Sequence, residues 1–287
     1  MATDFERLSF RNLPVRPRVL SPTRPEDWLC SEGCRMPWRE AGHNWLRDQC
    51  LHEAEAALRE TERIEAQRQA RREAREASDA AQLRLDSRIS QILAGCTFAN
   101  FRVEHRAMRA IMADVRLMSE HPQGALYLDG PTGTGKSHLA AAACNAVLDR
   151  GQRAVMRYSH ELFAELFEEV RRQEDRDSAS RSLLESLHRS RLLVLDDYAL
   201  VRPKALEADH LLEILHHRMA HGGGLIITSN VPMTALKGRY VEAGAALFSR
   251  LSGLCRREDG EPRIYTVPAS ITDHRIRPLA AKEARHA

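Results

Sequence analysis

The second half of the chain alternates between short apolar runs and longer stretches with helical spacing. Apolar runs of strand length lie at residues 125–129, 153–157, 191–196, 224–229 and 263–267. Apolar residues recur with a helical period at residues 136–149, 160–173, 181–188, 205–220 and 244–254. Such alternation is typical of βαβ units. It predicts an α/β fold with a mostly parallel five-stranded sheet flanked by helices.

Two further helices are predicted ahead of this region. Residues 104–119 carry apolar side chains at helical spacing, and this stripe predicts a core face: Met108, Ile111, Met112, Val115 and Met118. From Leu51 to about Ala81 the sequence is rich in Ala, Glu and Arg and has no Gly or Pro. Its apolar stripe is thin, which predicts a long solvated helix that links the N-terminal part to the α/β domain. A cluster of arginines offers a nucleic-acid-tracking alternative, but the balance of charges favours a spacer.

The N-terminal stretch has a different character. Residues 1–27 are rich in Pro and Arg, which predicts an irregular leader. Cys30, Cys34 and Cys50 follow, with His52 or His43 as a fourth candidate ligand of a zinc ion. The alternative is free structural thiols. All three tryptophans, at positions 28, 38 and 45, lie here and could form a small packed knot or an apolar docking patch.

Composition limits the class of protein. A chain of 287 residues, 43% hydrophobic and 29% charged, has room for one sizeable domain plus an appendage. No apolar run reaches the length of a membrane span, and no signal-peptide pattern opens the chain, so we expect a cytoplasmic protein. A net charge of +3 is too small to indicate nucleic-acid binding. We expect five divisions of the chain: an irregular leader (1–27), a possible zinc-binding module (28–52), a helical linker (53–94), the α/β domain (95–277) and a tail (278–287).

A glycine-rich octapeptide joins the first predicted strand to the helix that follows it. It reads Gly130, Pro131, Thr132, Gly133, Thr134, Gly135, Lys136, Ser137, and His138 opens the helix. In this pattern the backbone N–H groups and the helix N-terminus cradle phosphates. Lys136 is expected to reach the β- and γ-phosphates, and the Ser137 hydroxyl is expected to bind Mg²⁺. The alternative, an accidental glycine-rich turn, is disfavoured by the flanking strand and helix.

Polar residues end two later buried strands, the third and fourth of the predicted sheet. The run 191–195 ends in Asp196 and Asp197, where Asp196 is expected to hold Mg²⁺ and Asp197 to act as the general base toward water. A plain Asp-Asp turn is the alternative. Asn230 follows the run 225–229 and is expected to contact the γ-phosphate or the attacking water.

Arg250 lies among apolar residues of the last predicted helix. An arginine finger that completes the site of a neighbouring subunit would explain this position, because the transition state at the γ-phosphate needs a further cation. A surface or ion-paired arginine is the alternative.

The order of these motifs over residues 95–277 resembles the AAA+ ATPases of the bacterial helicase-loader family. That family includes DnaC- and DnaI-type loaders and IstB-type transposition ATPases. The matching stretches are residues 96–101, 130–137, 193–197, 226–230 and 249–251. The resemblance implies Walker A, Walker B, sensor 1 and arginine-finger roles for the residues named above. It also implies ATP as substrate, an oligomer with nucleotide at its interfaces, and no helical lid after the sheet.

As a helicase loader, the protein would place a replicative helicase on single-stranded DNA, with residues 28–52 docking the helicase. An IstB-like ATPase that regulates a transposase is the alternative. A small-molecule kinase and a scaffold that hydrolyses ATP poorly are less favoured. Asp197 stands where many AAA+ proteins have Glu, so slow turnover is expected. Four basic residues are candidates for contacts with DNA: Arg157, His160, Arg202 and Lys204.

Overall fold

The computed structural model describes residues 18–21, 39–41, 44–48, 51–103, 105–173, 182–198, 205–240, 243–257 and 259–268. The chain divides into two compact units, residues 1–76 and 77–287. None of the helices in these described ranges combines the length and the apolar character of a membrane span.

The first unit contains a small antiparallel sheet that the sequence pattern did not predict. Its strands are β1 (Arg18–Ser21), β2 (Arg39–Ala41) and β3 (Asn44–Asp48), in the order β1-β3-β2. Strand β1 falls inside the stretch predicted to be irregular. These strands have three to five residues each, which is too short for a clear alternation of apolar and polar positions.

The predicted zinc ligands fall mostly outside the described residues. Cys30, Cys34, Cys50 and the alternative ligand His43 lie there, whereas His52 is described and exposed. Within the described ranges no group of three or more His, Cys, Asp or Glu side chains could hold a metal ion. The zinc site therefore stays a prediction.

Helix α1 (Leu51–Asp86) extends five residues beyond the predicted end near Ala81. The side chains of residues 56–79 are exposed on all sides, as expected for a solvated spacer. Pairs such as Arg59–Glu55 (3.3 Å) and Arg63–Glu60 (2.9 Å) support it. Each such pair contributes only about 0.2–0.5 kcal/mol. Near its end Leu83 packs against the core of the second unit.

The second unit has the predicted α/β architecture. Its parallel sheet has the order β5-β6-β7-β4-β8 and is formed by β4 (Gln123–Asp129), β5 (Ala154–Tyr158), β6 (Leu192–Tyr198), β7 (Gly223–Ser229) and β8 (Ile264–Thr266). Two helices precede the sheet: α2 (Gln91–Ala94) and α3 (Arg106–Glu120). The helices between and after the strands are α4 (Lys136–Asp149), α5 (Ser159–Gln173), α6 (Ser182–His188), α7 (Ala205–His221), α8 (Leu236–Arg239) and α9 (Gly244–Leu254), with a 3₁₀ turn at Met233–Ala235. All five predicted strands are present, with ends that shift by up to two residues.

Hydrophobic cores cover both faces of this sheet. On one face α3 and α4 pack against alternate strand residues such as Leu126 and Val194. On the other face α5, α6, α7 and α9 pack against the intervening residues, such as Tyr127 and Leu195. The predicted apolar stripe of α3 is confirmed as core, because its residues at 108, 111, 115 and 118 are buried. Burial on both faces explains why the strands are continuous apolar runs.

Three histidine rings form a stack where α6 meets α7. The rings of His188 and His217 are parallel at 3.8 Å, and the rings of His217 and His221 lie 4.5 Å apart. Buried Arg218 donates hydrogen bonds to the carbonyls of Leu187 (2.7 Å) and Ser190 (2.6 Å), which satisfies the end of α6. The pKa of His188 is lowered to about 4. Burial is the largest cause, followed by the charges of His217, Arg218 and His221, whereas Glu185 raises this pKa.

This stack predicts a loss of stability in acid. Between an ordinary histidine pKa of about 6.5 and the lowered value, the unfolded chain binds more protons than the folded chain. The free energy of unfolding therefore falls as the pH drops through that interval. We expect the Tm of the wild type to fall more between pH 7 and pH 5 than that of His188→Gln, measured by circular dichroism. Equal falls in the two proteins would contradict this prediction.

Candidate nucleotide-binding site

The glycine-rich loop lies between β4 and α4, at the carboxyl edge of the sheet. Gly130 has φ +141°, and a Cβ atom there would lie 2.7 Å from the carbonyl oxygen of Val267. Gly135 has φ +91°, and a Cβ atom there would lie 2.8 Å from the ring of Phe101. Both positions thus require glycine, for conformation and for space. The loop ends at the first turn of α4, whose free N–H groups suit an anion.

Lys136 is the central cation of the loop. Its side chain is buried, and Nζ donates to the carbonyls of Gly130 (2.8 Å) and Pro131 (2.7 Å). Nζ also donates to Oδ1 of Asn230 at 3.0 Å. Asn230 directly follows β7, the strand next to β4. The structure therefore brings together Lys136 and Asn230, which the sequence analysis singled out from separate motifs.

Asp196 lies on β6 beside this loop and is almost fully buried. Its Oδ1 accepts a hydrogen bond from the Thr228 hydroxyl, and its buried Oδ2 has no hydrogen-bond partner in the described part of the chain. Burial raises the pKa of this carboxyl, whereas the hydroxyls of Thr228 and Ser137 oppose the rise. An orphaned carboxylate oxygen beside the Ser137 hydroxyl offers the hard oxygen ligands that Mg²⁺ prefers. The residues present thus fit a magnesium ion.

Asp197 occupies a bulge in the sheet. The register between β6 and β7 shifts between Leu195 and Tyr198, and Asp197 has φ +52°. Its N–H donates to the Thr228 hydroxyl oxygen at 3.1 Å. Aspartate tolerates the left-handed region better than most residues, although it is still uncommon there. The bulge lets Asp197 line the same cavity as Lys136 and Asn230.

That cavity has a volume of about 480 Å³ and extends from the loop toward the segment that precedes α3. The phosphate-loop side includes Thr132, Gly133, Gly135, Lys136 and Ser137. The lining also includes apolar side chains, namely Ile92, Leu93, Cys96 and Phe101. The cavity therefore combines charged and apolar groups, as a nucleoside triphosphate requires.

The Thr97–Asn100 turn lies beside this cavity, and Asn100 lines it. The Asn100 side chain accepts from the N–H of Thr97 (2.8 Å) and donates to the Gly95 carbonyl (2.8 Å). His138 Nε2 lies 3.2 Å from the carbonyl oxygen of Thr97, which only accepts, so we assign the hydrogen to Nε2. Its ring meets Phe101 edge-on at 5.3 Å. The sequence analysis used this segment only for its resemblance, because these contacts link residues far apart in the chain.

Arg250 is half-buried on α9 and does not line this cavity. The prediction that Arg157 contacts DNA is corrected by the structure, because Arg157 lies inside β5, is buried and pairs with Glu165. The predicted strand ended at Arg157, whereas β5 continues to Tyr158. His160 is exposed at the start of α5, and Arg202 and Lys204 lie outside the described residues.

A glycine-rich loop between an inner strand of the parallel sheet (β4) and its helix, with paired acids on β6, which β7 separates from β4, defines a P-loop nucleotide-binding protein of the AAA+ class. The sequence profile of the family described as "IstB-like ATP binding protein" matches residues 57–255. The chain belongs to this family.

Several curated proteins are similar to this chain. The replicative helicase loader DnaC of Escherichia coli strain K12 is 28% identical over 152 residues, which cover 51% of this chain and 61% of DnaC. An insertion-sequence ATP-binding protein of Mycobacterium tuberculosis is 32% identical over 105 residues, covering 37% of this chain and 40% of the relative. The chain thus spans less than two thirds of the length of these relatives.

Solved structures share the fold. The crystal structure of DnaI matches with a TM-score of 0.51 at 20% identity, covering 63% of this chain and 94% of that chain. The crystal structure of the DnaC helicase loader matches with a TM-score of 0.50 at 18% identity, covering 57% and 96%. At such identities the likeness establishes the fold alone.

Proposed function

We propose that this protein binds ATP with Mg²⁺, hydrolyses it, and uses the cycle to place a replicative helicase on single-stranded DNA. One observation carries the ATPase part of the proposal. Lys136, Asn230 and Asp197 come from separate parts of the chain and line one cavity. This arrangement provides a cation, a polar sensor and a carboxylate around the place where a γ-phosphate would lie.

The residues of the cavity have separate roles in binding and hydrolysis. The N–H groups of residues 132–137 and the Lys136 ammonium bind and orient the phosphates. The Asp197 carboxylate accepts the proton of the attacking water, and the Asn230 amide holds that water or the γ-phosphate in line. The apolar side chains of the lining, such as Ile92 and Leu93, contact the base. His138 keeps the Thr97–Asn100 turn in place.

Ser137 and Asp196 are the proposed magnesium ligands. When bound, the ion neutralises charge that develops on the phosphate oxygens. Oδ2 of Asp196 has no hydrogen-bond partner among the described residues that meets the geometric criteria, and this supports the assignment, because such a buried carboxylate oxygen is costly unless a cation accompanies it.

Arg250 is proposed to act on a neighbouring copy of the chain. Its position on α9, outside the lining of its own cavity, supports a role in trans. Hydrolysis would thereby depend on a homo-oligomer with nucleotide at its interfaces.

The proposed partners rest on the relatives. DnaC is named a replicative helicase loader, and a single-stranded DNA ligand suits that role. A second candidate, an ATPase that regulates a transposase, is supported by the family description and by the insertion-sequence relatives. Residues 28–52, with their candidate zinc ligands, are the proposed docking module for either partner.

Co-purification distinguishes these two functions. We expect the tagged full-length protein to retain the replicative helicase of its host in the presence of ATP, and its ATPase rate to rise with single-stranded DNA. The comparison is a transposase from the same host, tested at the same concentration. Retention of the transposase but not the helicase would favour the second function. Retention of neither, with no effect of DNA, would exclude both.

A further inference from the structure

We infer that Thr228 is a positioning residue that holds both Walker B aspartates through one hydroxyl group. This inference rests on the proposed function and deepens it, because it assigns a role to a residue outside the glycine-rich loop and the acidic pair. Thr228 lies on β7, opposite the ends of β6 and two residues before Asn230. The sequence analysis included Thr228 in the matching stretch 226–230 but assigned it no role.

The hydroxyl of Thr228 has two partners in the structure. It donates its hydrogen to Oδ1 of Asp196 and accepts the N–H of Asp197 at 3.1 Å. A hydroxyl has one hydrogen to donate, so this donor is fully used by Asp196. Thr228 has no exposed surface, so water does not compete for these bonds.

The bond to Asp196 has a consequence for the cation site. With Oδ1 held by Thr228, the carboxylate cannot rotate freely, and Oδ2 is left without a partner among the described residues. The oxygen that remains free is the one available to a cation. Thr228 thus preorganises the carboxylate so that little ordering is needed when the cation binds.

The bond to Asp197 has a consequence for the base. The register shift removes Asp197 from the regular ladder between β6 and β7, so its N–H does not bond a strand carbonyl there. The Thr228 hydroxyl replaces that acceptor and stabilises a backbone with φ +52°. The bulge is what allows Asp197 to line the cavity.

A simple packing role makes a different prediction from a positioning role. Valine has nearly the same shape as threonine and also favours strands, so Thr228→Val preserves packing but removes both hydrogen bonds. Serine keeps the hydroxyl but loses the methyl group. A packing role predicts that valine is the milder change, whereas a positioning role predicts that serine is.

The test measures the binding of mant-ADP to the full-length protein, in Mg²⁺ and in EDTA, by fluorescence titration. We expect Thr228→Val to raise the Kd in Mg²⁺ by at least about fivefold and to leave the Kd in EDTA within about twofold. Thr228→Ser should restore the Mg²⁺-dependent binding. The ATPase kcat should follow the same order, with a fall of at least about tenfold in Thr228→Val. Thr228→Ala removes the hydroxyl without placing a methyl group against Asp196, and it gives the same comparison if the valine variant does not fold.

The outcomes separate this inference from the proposed function. If the wild type binds mant-ADP more tightly in Mg²⁺ and Thr228→Val does so equally well, the positioning role is wrong and the proposed function stands. A serine variant that is more impaired than the valine variant also overturns the role. If the wild type shows no nucleotide binding, the proposed function fails and this inference fails with it.

Discussion

Replacing Lys136 with alanine is expected to lower the affinity of the protein for ATP by at least about a hundredfold, or about 2.7 kcal/mol. The ammonium group donates to Gly130, Pro131 and Asn230, and so it joins the two sides of the proposed phosphate site. Hydrogen bonds to a charged group contribute about 1.5–3 kcal/mol each. Its removal takes away the one lysine that lines the cavity in the described part of the chain. Titration with mant-ATP at constant ionic strength measures the change.

Lys237→Ala provides the matched control. Lys237 is exposed on α8, and its Nζ lies 4.1 Å from the centre of the Phe248 ring, outside the cavity. The substitution makes the same change in net charge, so it corrects for general electrostatic effects on an anionic ligand. We expect its Kd for ATP to stay within about twofold of the wild type. A Lys136→Ala protein that binds as well as this control would contradict the whole nucleotide-site proposal.

The sheet itself could be predicted from the sequence because its strands are buried on both faces. Residues 192–195 and 225–227 are apolar throughout, and turn residues bound each run, so their lengths indicated strands and not helices. Helix α4 begins at the predicted residue because the glycine-rich loop fixes its start. Here local pattern and global fold require the same residues.

Contacts across the sheet could not be predicted in the same way. Thr228 looks like an ordinary β-branched strand residue, and its partners on β6 depend on the order of the strands. The Thr97–Asn100 turn contacts His138, although Thr97 and His138 are 41 residues apart in the sequence. Arg157 was predicted as the last residue of the strand 153–157, whereas β5 continues to Tyr158 and Arg157 lies inside it. Long-range pairing and strand ends are the features that a one-dimensional pattern determines least.

The structure also explains why an aspartate suits position 197. The left-handed backbone conformation is unfavourable for most residues other than glycine, but Asp and Asn are several-fold enriched there. Asp197 has φ +52° at the bulge of β6. A glutamate would have the longer reach that many AAA+ proteins use, but it would be less favourable in this backbone. The shorter acid is thus consistent with the local conformation.

Asp197→Asn is therefore expected to abolish hydrolysis and leave binding intact. Asparagine matches aspartate in shape and tolerates φ +52°, so the bulge and the N–H bond to Thr228 remain. Only the carboxylate that we propose as the acceptor of the proton of water is lost, and general-base catalysis contributes about 10²–10⁴ in rate. We expect kcat to fall at least about a hundredfold while the Kd for mant-ATP stays within about twofold.

Single-turnover hydrolysis of ATP, with protein in excess, measures the chemical step without product release. Asp197→Glu is the companion variant: it keeps a carboxylate but strains the left-handed backbone, so an intermediate rate is expected. If Asp197→Asn retains more than about a third of the wild-type rate, the base must lie elsewhere. The nucleotide cavity would then still bind ATP through Lys136, but its water would be activated by a group other than the acid at the bulge.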